Sequence, residues 1–271
     1  MSVSERQSVL SPRLPAAGQN RVHWSRLYGS ARSVALANMA TAIQQPIVVI
    51  TADSIGAFNL INELKVYLGK DSAIPVRTLP DWETLPYDLF SPYQDIISER
   101  LQTLFELPTL QQGILVVPVN TIMHRLLPMD YLVNNSLVMD VGQTIDLNEF
   151  RKQLTQQAYR FVDQVSEHGE VSMRGSLLDI FPMGATKPFR IDLFDDEIDS
   201  IRTFDIETQR SIDKVDSIRV LPAREVALVD EGIARFRANW RAMFEGNPAQ
   251  CPIYRDVSQA LAPAGIEYYL P

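Results

Sequence analysis

The chain has 271 residues, 46% of them hydrophobic and 21% charged, which is ordinary globular composition with material for a substantial core and one or two domains. Its formal net charge of -8 repels a phosphate backbone and argues against binding duplex DNA through bulk charge, yet Arg6, Arg13, Arg21, Arg26 and Arg32 crowd the N-terminus as either a solvated arm or a local basic strip. A single cysteine, Cys251, excludes an internal disulfide framework and a cysteine-based zinc site. Residues 1–20 lack a signal-peptide apolar region and no run approaches the ~18 apolar residues of a membrane span, so a soluble cytoplasmic chain without membrane contact is expected.

Residues 1–20 are polar, contain Pro12 and Pro15, and read as a flexible arm. Between Ser33 and Gln44, the apolar Leu36, Ala40 and Ile43 recur at helical spacing. Ile47-Val48-Val49-Ile50, bounded by Pro46 and Asp53, reads as a strand buried on both faces, as in a parallel sheet. Asp53 and Ser54 offer an N-cap for a helix carrying Ile55, Phe58, Ile61 and Leu64, which Gly69 closes. Ser91, Pro92 and Gln94 have the arrangement of a cap, a first helical residue and a capping box. Ile97, Leu101, Leu104 and Phe105 then share a face, and Pro108 stops the helix. Gly113–Val117 reads as a second buried strand. The alternation implies an α/β layer with right-handed crossovers. Its expected core is Val48, Ile50, Leu101, Phe105, Leu115 and Val117.

The pattern changes near residue 136. Asp146 and Glu149 box a short helix with Leu147, Phe150 and Leu154. Ser176–Phe181 and Phe189–Phe194 read as antiparallel strands joined by the loop 182–188, with a turn at Asp195-Asp196-Glu197 and strand-like sequence running on to Leu221. This is a small α+β segment inserted in the α/β layer. A long helix is expected over Glu225–Glu245, with Ile233, Phe236, Trp240 and Phe244 on one face and Gly246 as its C-cap. The apolar, aromatic ending Gly265–Pro271 reads as a cut chain.

No catalytic constellation emerges. The turn before the first helix, Leu27-Tyr28-Gly29-Ser30-Ala31-Arg32-Ser33, holds one glycine and no Lys-Ser/Thr pair. A phosphate loop needs successive backbone N–H groups around the phosphates and a lysine on the terminal one, so Arg32 alone leaves them without a cradle. His23, His124 and His168 lack ligand spacing, and the acidic cluster Asp195, Asp196, Glu197, Asp199 lacks the glycine and terminal glutamate of a calcium loop. No catalytic, cofactor-binding or metal-binding residue is therefore assigned.

One surface stands out. In Phe189-Arg190-Ile191-Asp192-Leu193-Phe194 the strand period of two puts Phe189, Ile191 and Leu193 on one face and Arg190, Asp192 and Phe194 on the other. A ring beside a planar donor fork suits a protein-binding hot spot. Arg174-Gly175 precedes the neighbouring apolar run, and the glycine suggests a bulge that re-aims Arg174. Spacing alone leaves a second reading open, in which Phe194 packs under the turn and the arginines pair with nearby aspartates.

Several longer motifs carry a resemblance. Asp81-Trp82-Glu83-Thr84-Leu85-Pro86-Tyr87-Asp88, Phe90-Ser91-Pro92, Gln94-Asp95-Ile96-Ile97-Ser98, Val117-Pro118-Val119-Asn120-Thr121, Arg174-Gly175, Asp179-Ile180-Phe181-Pro182-Met183-Gly184 and Phe194-Asp195-Asp196-Glu197-Ile198-Asp199 closely resemble the N-terminal, UvrB-homologous region of the bacterial transcription-repair coupling factor (Mfd) family. The resemblance runs from about residue 20 to the end.

It implies a degenerate RecA/helicase-like parallel-sheet domain over 21–135 after the arm 1–20, an inserted UvrA-binding domain over 136–221, and a truncated return into the first domain over 222–271. It also implies that Arg174, Arg190 and Phe194 contact UvrA, recruiting it to RNA polymerase stalled at DNA damage. UvrB keeps a phosphate loop that this region of the family, like the present chain, lacks. UvrB also has a DNA-wedging aromatic hairpin, for which the stretch Tyr87–Ile97 is too short. RNA polymerase binding and an ATP- and magnesium-dependent motor that translocates on DNA belong to other parts of the family's longer chain. The expected function is thus a docking scaffold without ATPase activity. The alternative is a nucleic-acid-binding module that uses the arginine-rich arm.

Overall fold

The computed structural model describes residues 8–14, 21–86, 88–226 and 228–269. Arg6, the parts of the expected arm at 1–7 and 15–20, Tyr87 and the terminal Leu270-Pro271 lie outside the described residues. In chain order, the first elements are α1 (Ala31–Ala42), β1 (Pro46–Thr51), α2 (Ser54–Leu68), β2 (Val76–Thr78), α3 (Gln94–Glu106), β3 (Gly113–Pro118), α4 (Val119–Ile122) and α5 (Met129–Asn134). They are followed by β4 (Leu137–Asp140), α6 (Leu147–Gln156), β5 (Arg160–Phe161), β6 (Glu170–Arg174), β7 (Leu177–Phe181), β8 (Phe189–Phe194), β9 (Glu197–Phe204), β10 (Ser211–Val215), β11 (Ser217–Val220), α7 (Asp230–Met243) and α8 (Pro252–Ser258). The fold is mixed α/β with both parallel and antiparallel sheets, and it forms two compact units. None of the described helices is long and apolar enough to cross a membrane.

The first unit comprises Met1–Asp81 and Glu106–Met123. Its three-stranded parallel sheet has the order β1-β3-β2, with Val48 opposite Leu115 and Arg77 opposite Leu115 from the other side. Helices α1 and α2 cover one face, where Leu36, Ala40, Ala57, Leu60 and Leu64 meet Ile47, Ile114 and Val116. Asp53 caps α2 by accepting from Gly56 N, and Gly69 ends the helix at φ +84, as its sequence implies. Residues 8–14 are tied to this unit. Trp24 Nε1 donates to the Arg13 carbonyl at 3.0 Å, and Asn38 Nδ2 donates to that of Val9 at 3.3 Å.

The expectation that β1 is buried on both faces is corrected here. Val48 and Ile50 are 58% and 59% exposed, so they do not belong to the core, whereas Leu101, Leu115 and Val117 are buried and Phe105 is partly so. The reason is topological. β1 is an edge strand, and the helices cover only the face that carries Ile47 and Val49. The central strand β3 is buried at every position.

The second unit comprises Trp82–Phe105 and His124–Pro271. Its main sheet is six-stranded in the order β10-β9-β8-β7-β6-β5, antiparallel except for the parallel β5–β6 pair, and β4 pairs antiparallel with β11 beside it. Val171, Leu178, Ile180, Ile191 and Ile201 form the buried face of the sheet, all within 1% of full burial. Strand register aligns them: Val171 lies opposite Ile180, Leu178 opposite Ile191, and Ile191 opposite Ile201. Asp146 caps α6 by accepting from Asn148 N and Glu149 N.

Three boundaries differ from expectation. Helix α3 begins at Gln94, with the Tyr93 carbonyl accepting the first bond. Ser91 is therefore not its cap, and its hydroxyl accepts instead from Gly265 N at 3.1 Å. Helix α7 begins at Asp230 rather than Glu225, and it ends at Met243 with Phe244 rather than Gly246 as C-cap. Glu225 is taken up by a buried ion pair. It accepts from Arg100 Nε at 2.8 Å and from Trp82 Nε1 at 2.6 Å, and the Arg100 guanidinium lies 4.9 Å over the Trp82 ring. Side-chain exposure is 0% for Arg100 and 3% for Glu225.

Candidate functional site

The outward face of the main sheet of the second unit carries the candidate residues. The turn between β6 and β7 consists of Gly175 and Ser176, because Arg174 lies directly opposite Leu177. Gly175 has φ +62, which an L residue adopts with strain, so the glycine serves a two-residue hairpin turn rather than the expected bulge. Arg174 consequently ends β6 and is not part of the strand preceding the 182–188 loop.

From β7 the period of two sends Leu178 and Ile180 inward and Asp179 to the other face. Asp179 lies directly opposite Arg190 on β8 and is 1% exposed in its side chain. Its Oδ1 accepts from Arg190 Nε at 2.7 Å. Its Oδ2 accepts from Arg190 Nη2 at 2.9 Å and from Arg174 Nη2 at 3.0 Å. One buried carboxylate therefore holds both arginines. Arg190 also donates Nη1 to the Gln209 carbonyl at 3.0 Å and lies 5.0 Å over the Phe204 ring. The hydrogen bond to Asp179 raises the Arg190 pKa above its ordinary value and outweighs the opposing effect of burial. The arginine side chains differ in exposure, 55% for Arg174 and 17% for Arg190.

Phe194 closes β8 opposite Glu197, beyond a register shift between Asp192 and Leu193. Leu193 turns inward at 7% exposure, while Phe194 is 79% exposed. The reading in which Phe194 packs under the turn is thereby excluded, but the pairing of both arginines with an aspartate is real. The structure brings Arg174 and Arg190 onto one group. It sets Phe194 four residues further along the strand from Arg190, ~13 Å at strand rise. Arg202, opposite Arg190 on β9, adds a cation on the same face and lies 3.6 Å from Asp192. Asp179 was not singled out from the sequence. The signal for it was a lone carboxylate inside the apolar run Leu177-Leu178-Asp179-Ile180-Phe181.

The other candidates lie elsewhere. His168 contacts Asp95 Oδ1 at 2.7 Å and the Ala185 carbonyl at 2.8 Å, and His124 stacks on Trp82 with ring centroids 4.7 Å apart. His23 is exposed. Asp195 and Asp196 form the β8–β9 turn, with Asp195 at φ +59. Among the described residues no group of three or more His, Cys, Asp or Glu side chains is placed to hold a metal.

The family described as UvrB interaction domain matches residues 137–226, which include Arg174, Asp179, Arg190 and Phe194. The chain is 46% identical over 94% of its length to the transcription-repair-coupling factor of Escherichia coli (strain K12). It is 42% identical over 97% to that of Haemophilus influenzae and 36% identical over 84% to that of Myxococcus xanthus. It spans less than a quarter of each relative, covering 22%, 23% and 19% of their lengths. Over nearly its whole length the chain is thus similar to part of the transcription-repair coupling factors, and its residues 137–226 match the UvrB interaction domain.

Proposed function

We propose that this chain is a protein-docking module that recruits UvrA to RNA polymerase stalled at DNA damage, with Arg174, Arg190 and Phe194 as its contact residues. The observation that carries this reading is a large ring, 79% exposed, on the same sheet face as two arginines gathered on one carboxylate, all within the span matched by the UvrB interaction domain. An exposed phenylalanine on the sheet face of a cationic donor pair is costly to leave in water and well suited to a partner that brings carboxylates and an apolar pocket.

In this reading the first unit is a degenerate RecA-like half domain that does not hold ATP or magnesium. Two features support that. The turn before α1 offers only Gly29, and residues 21–28 form no strand leading into the helix, as a phosphate loop requires. Contacts with RNA polymerase and DNA, and ATP-driven translocation, fall to the more than three quarters of the relatives that lie outside this span.

Phe194→Ala tests the proposal. The variant should bind UvrA roughly thirtyfold more weakly, a loss of ~2 kcal/mol, with an unchanged melting temperature because the ring contributes little to the core. Calorimetric affinity equal to that of the parent chain overturns the proposed site.

A further inference from the structure

We infer that Asp179 is a positioning residue for partner binding: one buried carboxylate fixes the donor geometry of both Arg174 and Arg190. This rests on the docking role proposed above and goes beyond the three contact residues.

The bonds of Asp179 are unequally shared. Arg190 places Nε and Nη2 on its two oxygens as a parallel fork, and Arg174 adds a third bond to Oδ2. An arginine has five N–H donors. For Arg190, two of the five go to Asp179 and one to the Gln209 carbonyl, so two remain for a partner, held in one orientation by the ring of Phe204 beneath. Arg174 gives only Nη2 and keeps Nε and Nη1 available at 55% exposure.

Free arginines on a strand surface sample many rotamers, and a partner must freeze them. Here the freezing occurs on folding, which lowers the entropic cost of association. The carboxylate also cancels one of the two positive charges. For an acidic partner this is a loss in long-range attraction, set against the gain in preorganised donors. Charge and geometry therefore predict opposite outcomes when the carboxylate is removed, and that opposition makes the role testable.

The experiment measures UvrA affinity by calorimetry at two salt concentrations for the whole chain and for Asp179→Asn, Asp179→Glu, Arg174→Ala and Phe194→Ala. Near-ultraviolet circular dichroism checks the fold of each. Asp179→Asn adds one net positive charge to the patch. If the carboxylate positions the arginines, affinity falls tenfold or more while its salt dependence steepens. The Arg190 Nε–H, hydrogen-bonded to Asp179 in the parent chain, should also exchange faster with solvent in the variant. Asp179→Glu retains the charge and displaces the carboxylate by one methylene, so it should lose several-fold in affinity with the fold intact. That variant decides the matter if the asparagine variant does not fold. Unchanged or tighter binding by Asp179→Glu, or by a folded Asp179→Asn, overturns the inference. If Arg174→Ala and Phe194→Ala also bind like the parent, the docking site itself fails, which distinguishes the two conclusions.

Discussion

Arg174 and Arg190 look interchangeable in the sequence and differ in the folded chain. Arg190 is held by Asp179, the Gln209 carbonyl and the Phe204 ring, whereas Arg174 is half in solvent with one hydrogen bond. Arg190→Ala should therefore cost stability as well as binding, ~2–4 kcal/mol, because Asp179 loses most of its partners while buried. Arg174→Ala should weaken UvrA binding with a melting temperature within about 1 °C of the parent, as expected for an exposed side chain. Equal melting temperatures for the two variants would contradict the division of roles. The strand period assigned Phe194 to the face of Arg190, but it left open whether the ring packs under the turn, and only the folded chain shows it exposed. The double hold of Asp179 was not legible, because it depends on which strands pair.

The ion pair between Arg100 and Glu225 shows the same limit, since its partners are 125 residues apart and nothing local announces them. Glu225→Gln leaves Arg100 buried beside a neutral amide and should cost ~3–5 kcal/mol in denaturant unfolding. A loss below ~1 kcal/mol would mean that the pair is replaceable by neutral hydrogen bonds.

At the scale of elements, some ends marked by side-chain chemistry were legible, whereas the Ser91 cap of α3 and the Gly246 cap of α7 were not realised. Asp53 and Asp146 cap as expected, and β8 runs over Phe189–Phe194 as its alternation implies. β2 was missed because three residues, Val76–Thr78, are too short for any periodicity. β1 was legible as a strand, but its burial was misread. A run of four β-branched residues is the same whether one or both faces are covered, and only the strand order β1-β3-β2 reveals that it lies at the edge. The consequence is measurable within one strand. Ile47→Ala, at a position 8% exposed against α1 and α2, should cost ~2–4 kcal/mol, and Val48→Thr, 58% exposed, less than ~0.5 kcal/mol. Equal costs would place both faces of β1 in the core.

For the whole molecule the decisive quantity is charge. The chain carries 33 acidic and 25 basic side chains, so its far field repels polyanions, and any DNA contact must come from a local cluster. Of the N-terminal arginines proposed as such a cluster, Arg13, Arg21, Arg26 and Arg32 lie among the described residues, and Arg6 outside them. The Arg13 carbonyl accepts from Trp24 Nε1, which ties that residue's backbone to the first unit rather than leaving it free to track a groove. A docking module should therefore bind duplex DNA more weakly than ~0.1 mM at ~150 mM salt, at or beyond the weak end of nonspecific binding. Removing residues 1–20 should leave that affinity unchanged. A nucleic-acid module predicts the contrary. Affinity would reach the micromolar range in ~50 mM salt, fall steeply and log-linearly as salt rises, and lose about one unit of slope for each arginine contact removed. A fluorescence-anisotropy titration across salt, on the parent and the shortened chain together, separates the two. A steep slope that the truncation, which removes Arg6 and Arg13, lowers by about two units would return the arm to the centre of the function.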